Sequence, residues 1–332
     1  MNNLVESIFS NPWLLTLTLI VGLVLLVKGA DWLVDGASAV AKQFGISDLV
    51  IGLTVVAFGT SMPEFVVNMV SVANEATDLA LTNILGSNII NTFVILGLTA
   101  LVYPIASQKR SRDFDIPMSI IAGFMVFMCV AVRSPFGEEG YGVTRLGGVM
   151  LLLLFVYFLF NTIRHAKDHP DEADAEEVKQ IPTFKAVLLI IVGLIGLIAG
   201  GEMIVKSAVQ IATNMGVSQA IIGLTIVALG TSLPELATSV IAATKHNSDI
   251  ALGNVIGSNI FNVYFVLAAS AVIHPLPAYN GIVLDAWIAV LGSMLVWLFV
   301  KTNRARKLPR WGGAILLAVY AAYLIYRLVM IQ

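Results

Sequence analysis

The chain has 332 residues, of which 58% are hydrophobic and 12% are charged, and its formal net charge is −2. Soluble globular domains carry about 25% charged residues, so the composition excludes a soluble enzyme or binding domain and indicates a membrane protein. The small net charge gives no indication of a nucleic-acid partner. The single cysteine, Cys129, lies in an apolar run and is predicted to fill helix packing.

Apolar stretches close to the ~20 residues that cross a bilayer recur along the whole chain. The only strongly polar connector, residues 164–182, carries six acidic residues without the spacing of a calcium loop, which predicts a solvated linker. It separates a first half, 1–163, from a second half, 183–332. We predict ten transmembrane helices over residues 13–38, 47–73, 79–104, 115–133, 145–163, 185–212, 218–244, 250–273, 283–301 and 310–330.

The basic residues are distributed unevenly between alternate loops. One set of loops carries fourteen of the nineteen Lys and Arg residues, and the opposite set carries three. Because cytoplasmic loops carry the excess of basic residues, both termini are predicted to lie outside, in the periplasm, and the linker in the cytoplasm. The chain is therefore expected to be a multi-pass protein of the cell inner membrane, with the lipid bilayer as its surroundings and no obligate protein partner evident.

An internal repeat relates the two halves at a constant offset of 171 residues. In one pair of segments 10 of 13 positions are identical, and in another 8 of 12 are identical, without a gap between them. Because each half holds five predicted spans, the second half enters the membrane from the opposite face. The repeat therefore predicts an all-α fold of two inverted five-helix repeats, an architecture typical of secondary transporters. The paired segments read GLTVVAFGTSMPE with GLTIVALGTSLPE, and ALTNILGSNIIN with ALGNVIGSNIFN.

Each copy of the first peptide places a glutamate, Glu64 or Glu235, midway along an apolar span. An unpaired charge at that depth costs several kcal/mol, so compensating groups are expected around both carboxylates. The proline before each glutamate removes a helical N–H and predicts a break in the helix. The breaks are expected to free backbone carbonyls as ligands, namely those of Ala57, Gly59 and Thr60 in the first half and of Ala228, Gly230 and Thr231 in the second. A purely structural role for the glutamates is the alternative interpretation.

The second peptide places Ser87 one helical turn from Asn91, and Ser258 one turn from Asn262. If both peptides of each half converge, the cavity offers oxygen ligands throughout, which hard cations require. A flexible site of many oxygens favours calcium over magnesium, and no histidine or thiol cluster indicates zinc or copper. Packing of small polar residues between helices is the alternative for these serines and asparagines.

Two further pairs of charges lie within predicted spans. Lys28 and Asp31 are three residues apart, and Glu202 and Lys206 are four residues apart. Both spacings predict ion pairs within one helix, with a structural role near the mouths of the cavity.

The peptides GTSMPE and GTSLPE, each followed by GSNIxN, resemble the two alpha-repeats of the sodium/calcium exchanger family, in its compact prokaryotic form. The resemblance implies ten helices and alternating access by sliding of the first and sixth helices across a fixed core. It implies calcium and sodium as transported ions, no cofactor and no enzymatic activity. Some family members have Asp where this chain has Asn262, a departure that bears on the sodium stoichiometry.

The resemblance also implies individual ligands. Calcium would bind Glu64, Glu235 and the carbonyls of Thr60 and Thr231. Asn91 and Asn262 would form a central polar pair. Sodium would use the two glutamates together with Ala57, Ser61, Ser87, Ala228, Ser232 and Ser258.

The sequence leaves three alternative functions. A cation/proton antiporter of the same superfamily would use the two glutamates to carry protons, although its relatives usually show a different repeated peptide. A channel fits broken helices in inverted repeats less well than alternating access does. An intramembrane enzyme lacks a recognisable constellation of nucleophile, base and oxyanion donors.

The predicted orientation is testable by cysteine labelling in a background that lacks Cys129. The variant Ala173→Cys should resist an impermeant thiol reagent added to intact cells, because residue 173 lies in the cytoplasmic linker. The matched variant Ser134→Cys, in a loop expected outside, should react. Rapid labelling at position 173 would invert the topology.

Overall fold

The computed structural model describes residues 12–131, 142–168, 181–216, 228–279 and 281–331, and these residues are almost entirely helical. The helices are α1 (Pro12–Phe44), α2 (Asp48–Thr60), α3 (Met62–Ala73), α4 (Leu79–Val102, preceded by Thr77 and Asp78), α5 (Ser111–Ala131), α6 (Arg145–Asp168), α7 (Thr183–Asn214), α8 (Leu233–Thr244), α9 (Ser248–Ile273), α10 (Ile282–Thr302) and α11 (Arg310–Ile331). A helical turn, Ala228–Gly230, precedes α8.

Helix ends follow local sequence signals that the repeat duplicates. Ser47 caps α2 by accepting the Val50 N–H at 3.3 Å, and Asn247 caps α9 by accepting the Ile250 N–H at 3.0 Å. Shortly after α1 and α7, the chain reverses at Gly45 (φ +61°) and Gly216 (φ +78°), which are 171 residues apart. This left-handed conformation favours glycine and terminates both helices.

Helices α4 and α9 form the centre of the molecule. They are the most buried of the described helices that are long and apolar enough to span a membrane, whereas α1, α6, α7 and α11 lie largely at the surface of the molecule. Each central helix contains one π-helical segment, Ile90–Ile95 in α4 and Asn262–Leu267 in α9. Such segments add a residue to the helical turn and are frequent at functional sites.

The longest helices, α1 and α7, cross each other at glycines. A Cβ atom on Gly29 would lie 2.7 Å from the Gly193 carbonyl oxygen, and one on Gly200 would lie 2.7 Å from the Gly22 carbonyl oxygen. Close backbone approach through small residues is typical of membrane helices. The two helices therefore pack directly against each other, and Gly22 and Gly29 match Gly193 and Gly200 in the repeat.

The proline of the first repeated peptide breaks its helix as predicted. Pro63 lies in the first turn of α3, where the chain needs no N–H donor, and α2 and α3 meet at a bend of 45°. In the second half, Pro234 lies in the first turn of α8, and Thr231 and Ser232 separate α8 from the turn before it. Both glutamates thus follow a helix break.

The predicted spans agree with the described helices apart from their ends. Eight helices are long and apolar enough to cross a membrane, and the bent pair α2 and α3 makes nine among the described residues. The predicted seventh span, 218–244, lies outside the described residues as far as residue 227, so the count of ten stays a prediction. Helix α1 continues to Phe44, and α6 continues to Asp168, five residues into the predicted linker.

Short antiparallel strand pairs join the ends of distant helices. Strand β1 (Ile105–Ala106) pairs with β4 (Lys307–Leu308), and β2 (Gly142–Val143) pairs with β3 (Leu276–Pro277). These strands are not predictable from the sequence, because two residues are too few to show alternation of polar and apolar side chains.

Charged residues link α1 to the end of α8. Lys245 Nζ lies 2.6 Å from carboxylate oxygens of both Asp31 and Asp35, and Lys28 is 4.0 Å from Asp31. On α7, Glu202 and Lys206 form the predicted pair within one helix at 2.5 Å. Asp31 therefore pairs with Lys245, at the end of α8, as well as with the predicted partner Lys28.

The glycine crossing predicts different effects for two Gly→Ala substitutions. Gly29→Ala should lower the stability of the purified protein by about 1–3 kcal/mol, because the new methyl group meets the backbone of α7. Gly86→Ala, in α4, meets no atom within 4 Å and should stabilise the helix by about 0.5–1 kcal/mol. Thermal unfolding in detergent measures both. Equal melting temperatures for the two variants would contradict the close crossing.

Candidate functional site

The two glutamates occupy equivalent positions at the centre of the molecule. Glu64 lies in the first turn of α3 and Glu235 in the first turn of α8, and both side chains are completely buried. A helix N-terminus favours negative charge, because its first N–H groups point toward the carboxylate. The helix breaks therefore place each carboxylate at a dipole end that partly offsets its burial.

Serine hydroxyls from both halves surround each carboxylate. Ser87 and Ser232 donate to Glu64 Oε1, each at 3.4 Å. At the equivalent position, Ser61 and Ser258 donate to Glu235 Oε1 at 3.0 and 3.5 Å. Each glutamate thus receives one hydroxyl from its own half and one from the other half. The four predicted serines are brought together around the two carboxylates.

The threonines and alanines lie at the helix breaks. The side chain of Thr231 contacts Glu64 and that of Thr60 contacts Glu235, so these residues also cross between the halves. Ala228 begins the helical turn before α8. The Ala57 carbonyl is not released by the proline, contrary to the sequence prediction, because it accepts the Ser61 N–H at 3.1 Å. Only the second lone pair of this oxygen is therefore left for a cation.

The two asparagines lie in the π-helical segments of the central helices. Asn91 is in the π-helical segment of α4, and Asn262 begins that of α9; both are fully buried. Asn262 donates to Asn88 Oδ1 at 3.1 Å. Among the hydrogen bonds of the described residues, none uses the side-chain amide of Asn91 or the Oδ1 atom of Asn262. These atoms are therefore free to contact an ion or a water molecule.

Two further pairs of asparagines belong to this network and were missed in the sequence analysis. Asn88 donates to the Asn259 carbonyl at 3.1 Å, across the interface of the halves. Asn83 donates to the Glu64 carbonyl at 3.4 Å, and Asn254 donates to the Glu235 carbonyl at 3.2 Å. The sequence did carry a sign of their importance, since Asn83 matches Asn254 and Asn88 matches Asn259 in the repeated peptides.

The assembled site carries two formal negative charges and otherwise neutral oxygen donors. Of the two oxygens on each carboxylate, Oε2 has no hydrogen-bond partner among the described residues, in Glu64 and in Glu235 alike. A buried anionic oxygen without a partner is costly, and a bound cation removes that cost. The arrangement therefore suits one divalent or a few monovalent hard cations.

Comparison with known proteins agrees with this geometry. The sequence model described as sodium/calcium exchanger protein matches residues 14–164 and 185–329. The chain is 38% identical to the inner membrane protein YrbG of Escherichia coli, over 79% of this chain and 81% of that protein. It is 30% identical to the sodium/calcium exchanger MaX1 of Methanosarcina acetivorans, over 93% of this chain and 97% of that protein.

A solved structure shares the fold. The structure of the sodium-calcium exchanger NCX_Mj soaked with Na⁺ and Ca²⁺ superposes with a TM-score of 0.80 at 34% identity, over 94% of this chain and 98% of that one. The two matched segments leave out only the linker region and the ends of the chain. The chain belongs to the sodium/calcium exchanger family.

Proposed function

We propose that the protein is a secondary active antiporter that exchanges calcium for sodium across the cell inner membrane by alternating access. The observation that carries the proposal is the pair of buried glutamates, one from each half, whose Oε2 atoms lack partners among the described residues. Their two charges match one calcium ion or two sodium ions. Competition for the same charges couples the two transported ions, which is the requirement of exchange.

The proposed ligand sets follow the family pattern on these positions. Calcium binds Glu64, Glu235 and the carbonyls of Thr60 and Thr231. Asn91 and Asn262 line the space between the ion sites. Sodium binds the glutamates and the residues around them, namely Ala57, Ser61, Ser87, Ala228, Ser232 and Ser258.

Occlusion of the site supports exchange over a channel. Glu64 and Glu235 have no exposed surface, and Ser61 and Ser232 beside them are also buried. A conducting pore would leave its selectivity residues accessible from water, whereas a transporter closes both sides around its cargo during the cycle. The site described here is closed.

Sodium is favoured over protons as the counter-ion. Carboxylates alone are enough to carry protons, but here each glutamate lies beside two serine hydroxyls, whose oxygens can bind sodium and are not needed for carrying protons. MaX1 and NCX_Mj are both named sodium/calcium exchangers. Proton-coupled exchange is the second candidate, and calcium uptake at clamped pH with and without a sodium gradient separates the two.

The orientation proposed from the basic residues places both termini in the periplasm and residues 164–182 in the cytoplasm. The two halves, 1–163 and 183–332, then cross the membrane in opposite directions. Exchange by this arrangement requires no cofactor and no obligate protein partner.

Neutralising either glutamate should abolish exchange. In Glu64→Gln and Glu235→Gln the side chain keeps its shape but loses the charge that offsets calcium desolvation, so sodium-driven calcium-45 uptake into proteoliposomes should fall to background. The control Glu202→Gln removes an exposed carboxylate on α7 and should retain uptake. Exchange by a folded Glu64→Gln or Glu235→Gln protein would exclude the proposed site.

The membrane potential should drive exchange. A third sodium ion would find only uncharged ligands, because residue 262 is Asn, and it would give the loaded site a net positive charge. The unpartnered amide of Asn91 supplies such a ligand, and we expect three sodium ions per calcium by family resemblance. Each net charge moved then gains about 2.3 kcal/mol per 100 mV.

Clamping the potential with potassium and valinomycin in proteoliposomes measures this. Calcium uptake in exchange for internal sodium should speed up when the interior is positive and slow when it is negative. Uptake that ignores the potential would favour exchange of two sodium ions for one calcium.

A further inference from the structure

The orientation of the Asn254 side chain is fixed by its neighbours. Its Nδ2 atom faces the Glu235 carbonyl at 3.2 Å and the Ser239 hydroxyl at 2.9 Å. A carbonyl oxygen accepts hydrogen bonds and cannot donate them, so the amide nitrogen must face Glu235. The amide oxygen therefore faces the opposite way, toward Thr60 of the first half, whose Oγ1 atom is 3.0 Å away.

The Thr60 hydroxyl has one proton and three neighbouring acceptors. Asn254 Oδ1 lies at 3.0 Å from the hydroxyl oxygen, and the Ala57 carbonyl oxygen lies at 3.4 Å. The hydroxyl also contacts the Glu235 carboxylate. Two of these acceptors, Ala57 and Glu235, are proposed cation ligands. A proton that points at either of them occupies a lone pair that a cation needs.

We infer that Asn254 is a positioning residue that takes the Thr60 proton and so keeps the Ala57 carbonyl and the Glu235 carboxylate free for cations. The inference rests on the proposed ligand set and extends it to a residue that does not itself touch the ion. Residues behind metal ligands orient them in this way, and their loss typically weakens binding 10–100-fold. Asn254 also joins the halves, because Thr60 and Glu235 lie 175 positions apart in the sequence.

The repeat provides a matched comparison in Asn83. Asn83 Nδ2 donates to the Glu64 carbonyl at 3.4 Å and to Asn68 Oδ1 at 2.8 Å, as Asn254 does in the second half. Among the hydrogen bonds of the described residues, however, Asn83 makes none to Thr231, whose side chain contacts Glu64 instead. Asn83 thus makes the same hydrogen bond to the glutamate backbone as Asn254 does, but within the described part of the chain it makes no hydrogen bond to the threonine of the other half.

The test is a set of variants in the full-length protein, with calcium-45 binding and its displacement by sodium as readouts. Asn254→Ala should weaken the affinity for both cations about tenfold, because the Thr60 proton turns to the two ligands. Adding Thr60→Val should restore much of the affinity, since valine has no proton to misplace and keeps the backbone carbonyl. A general loss of packing would instead become worse with a second substitution.

Asn83→Ala is the control, and Thr60→Val should not rescue any loss that it causes. Thermal unfolding checks that each variant is folded. Asn254→Ser keeps a small polar side chain and takes the place of Asn254→Ala if the latter does not fold, with the same expectation.

The outcomes separate this inference from the proposed function. Affinities for Asn254→Ala equal to those of the unaltered protein, or a double variant no better than Asn254→Ala, would overturn the inference while leaving the exchanger intact. Rescue of Asn83→Ala by Thr60→Val would overturn it as well. An unaltered protein that binds no calcium would overturn both the inference and the proposed function.

Discussion

Burial of two carboxylates in the middle of a membrane protein is the constraint on which the surrounding structure depends. Glu64 and Glu235 have no contact with solvent, so their charge must be offset by dipoles, hydroxyl groups and a cation. Each helix break serves this need, because it turns a mid-span position into a helix N-terminus. The prolines, the small residues of both peptides and the layer of asparagines behind them follow from the same requirement.

Hydroxyl groups suit this site because they change role with its occupancy. A serine hydroxyl donates its proton to a carboxylate when no cation is bound, and it offers a lone pair when one is. Ser61 and Ser232 each reach the glutamate of the other half. A cation that displaces these hydrogen bonds therefore acts on both halves at once, and ion binding is coupled to the contact between the repeats.

The sequence predicted the features that arise from composition and repetition, but not those that depend on local backbone geometry. The breaks before Glu64 and Glu235 were predicted because proline has an unambiguous effect on a helix. The π-helical segments at Asn91 and Asn262 were not predicted, because one extra residue in a helical turn does not change the pattern of residue types. The cross-interface bond between Asn88 and Asn259 was missed because the offset reveals equivalent residues and not contacts.

The charged residues of the crossing helices α1 and α7 form different ion pairs in the two repeats. Lys245 joins Asp31 and Asp35 of α1 to the end of α8, but the position equivalent to Lys245 is Asn74, which bonds within its own helix. The position equivalent to Asp35 is Lys206, already paired on α7. Partly exposed pairs contribute about 1 kcal/mol or less. A difference of that size shifts a two-state equilibrium by at most about fivefold, so a fold built from matched halves is biased toward the arrangement that keeps Lys245 in contact with α1.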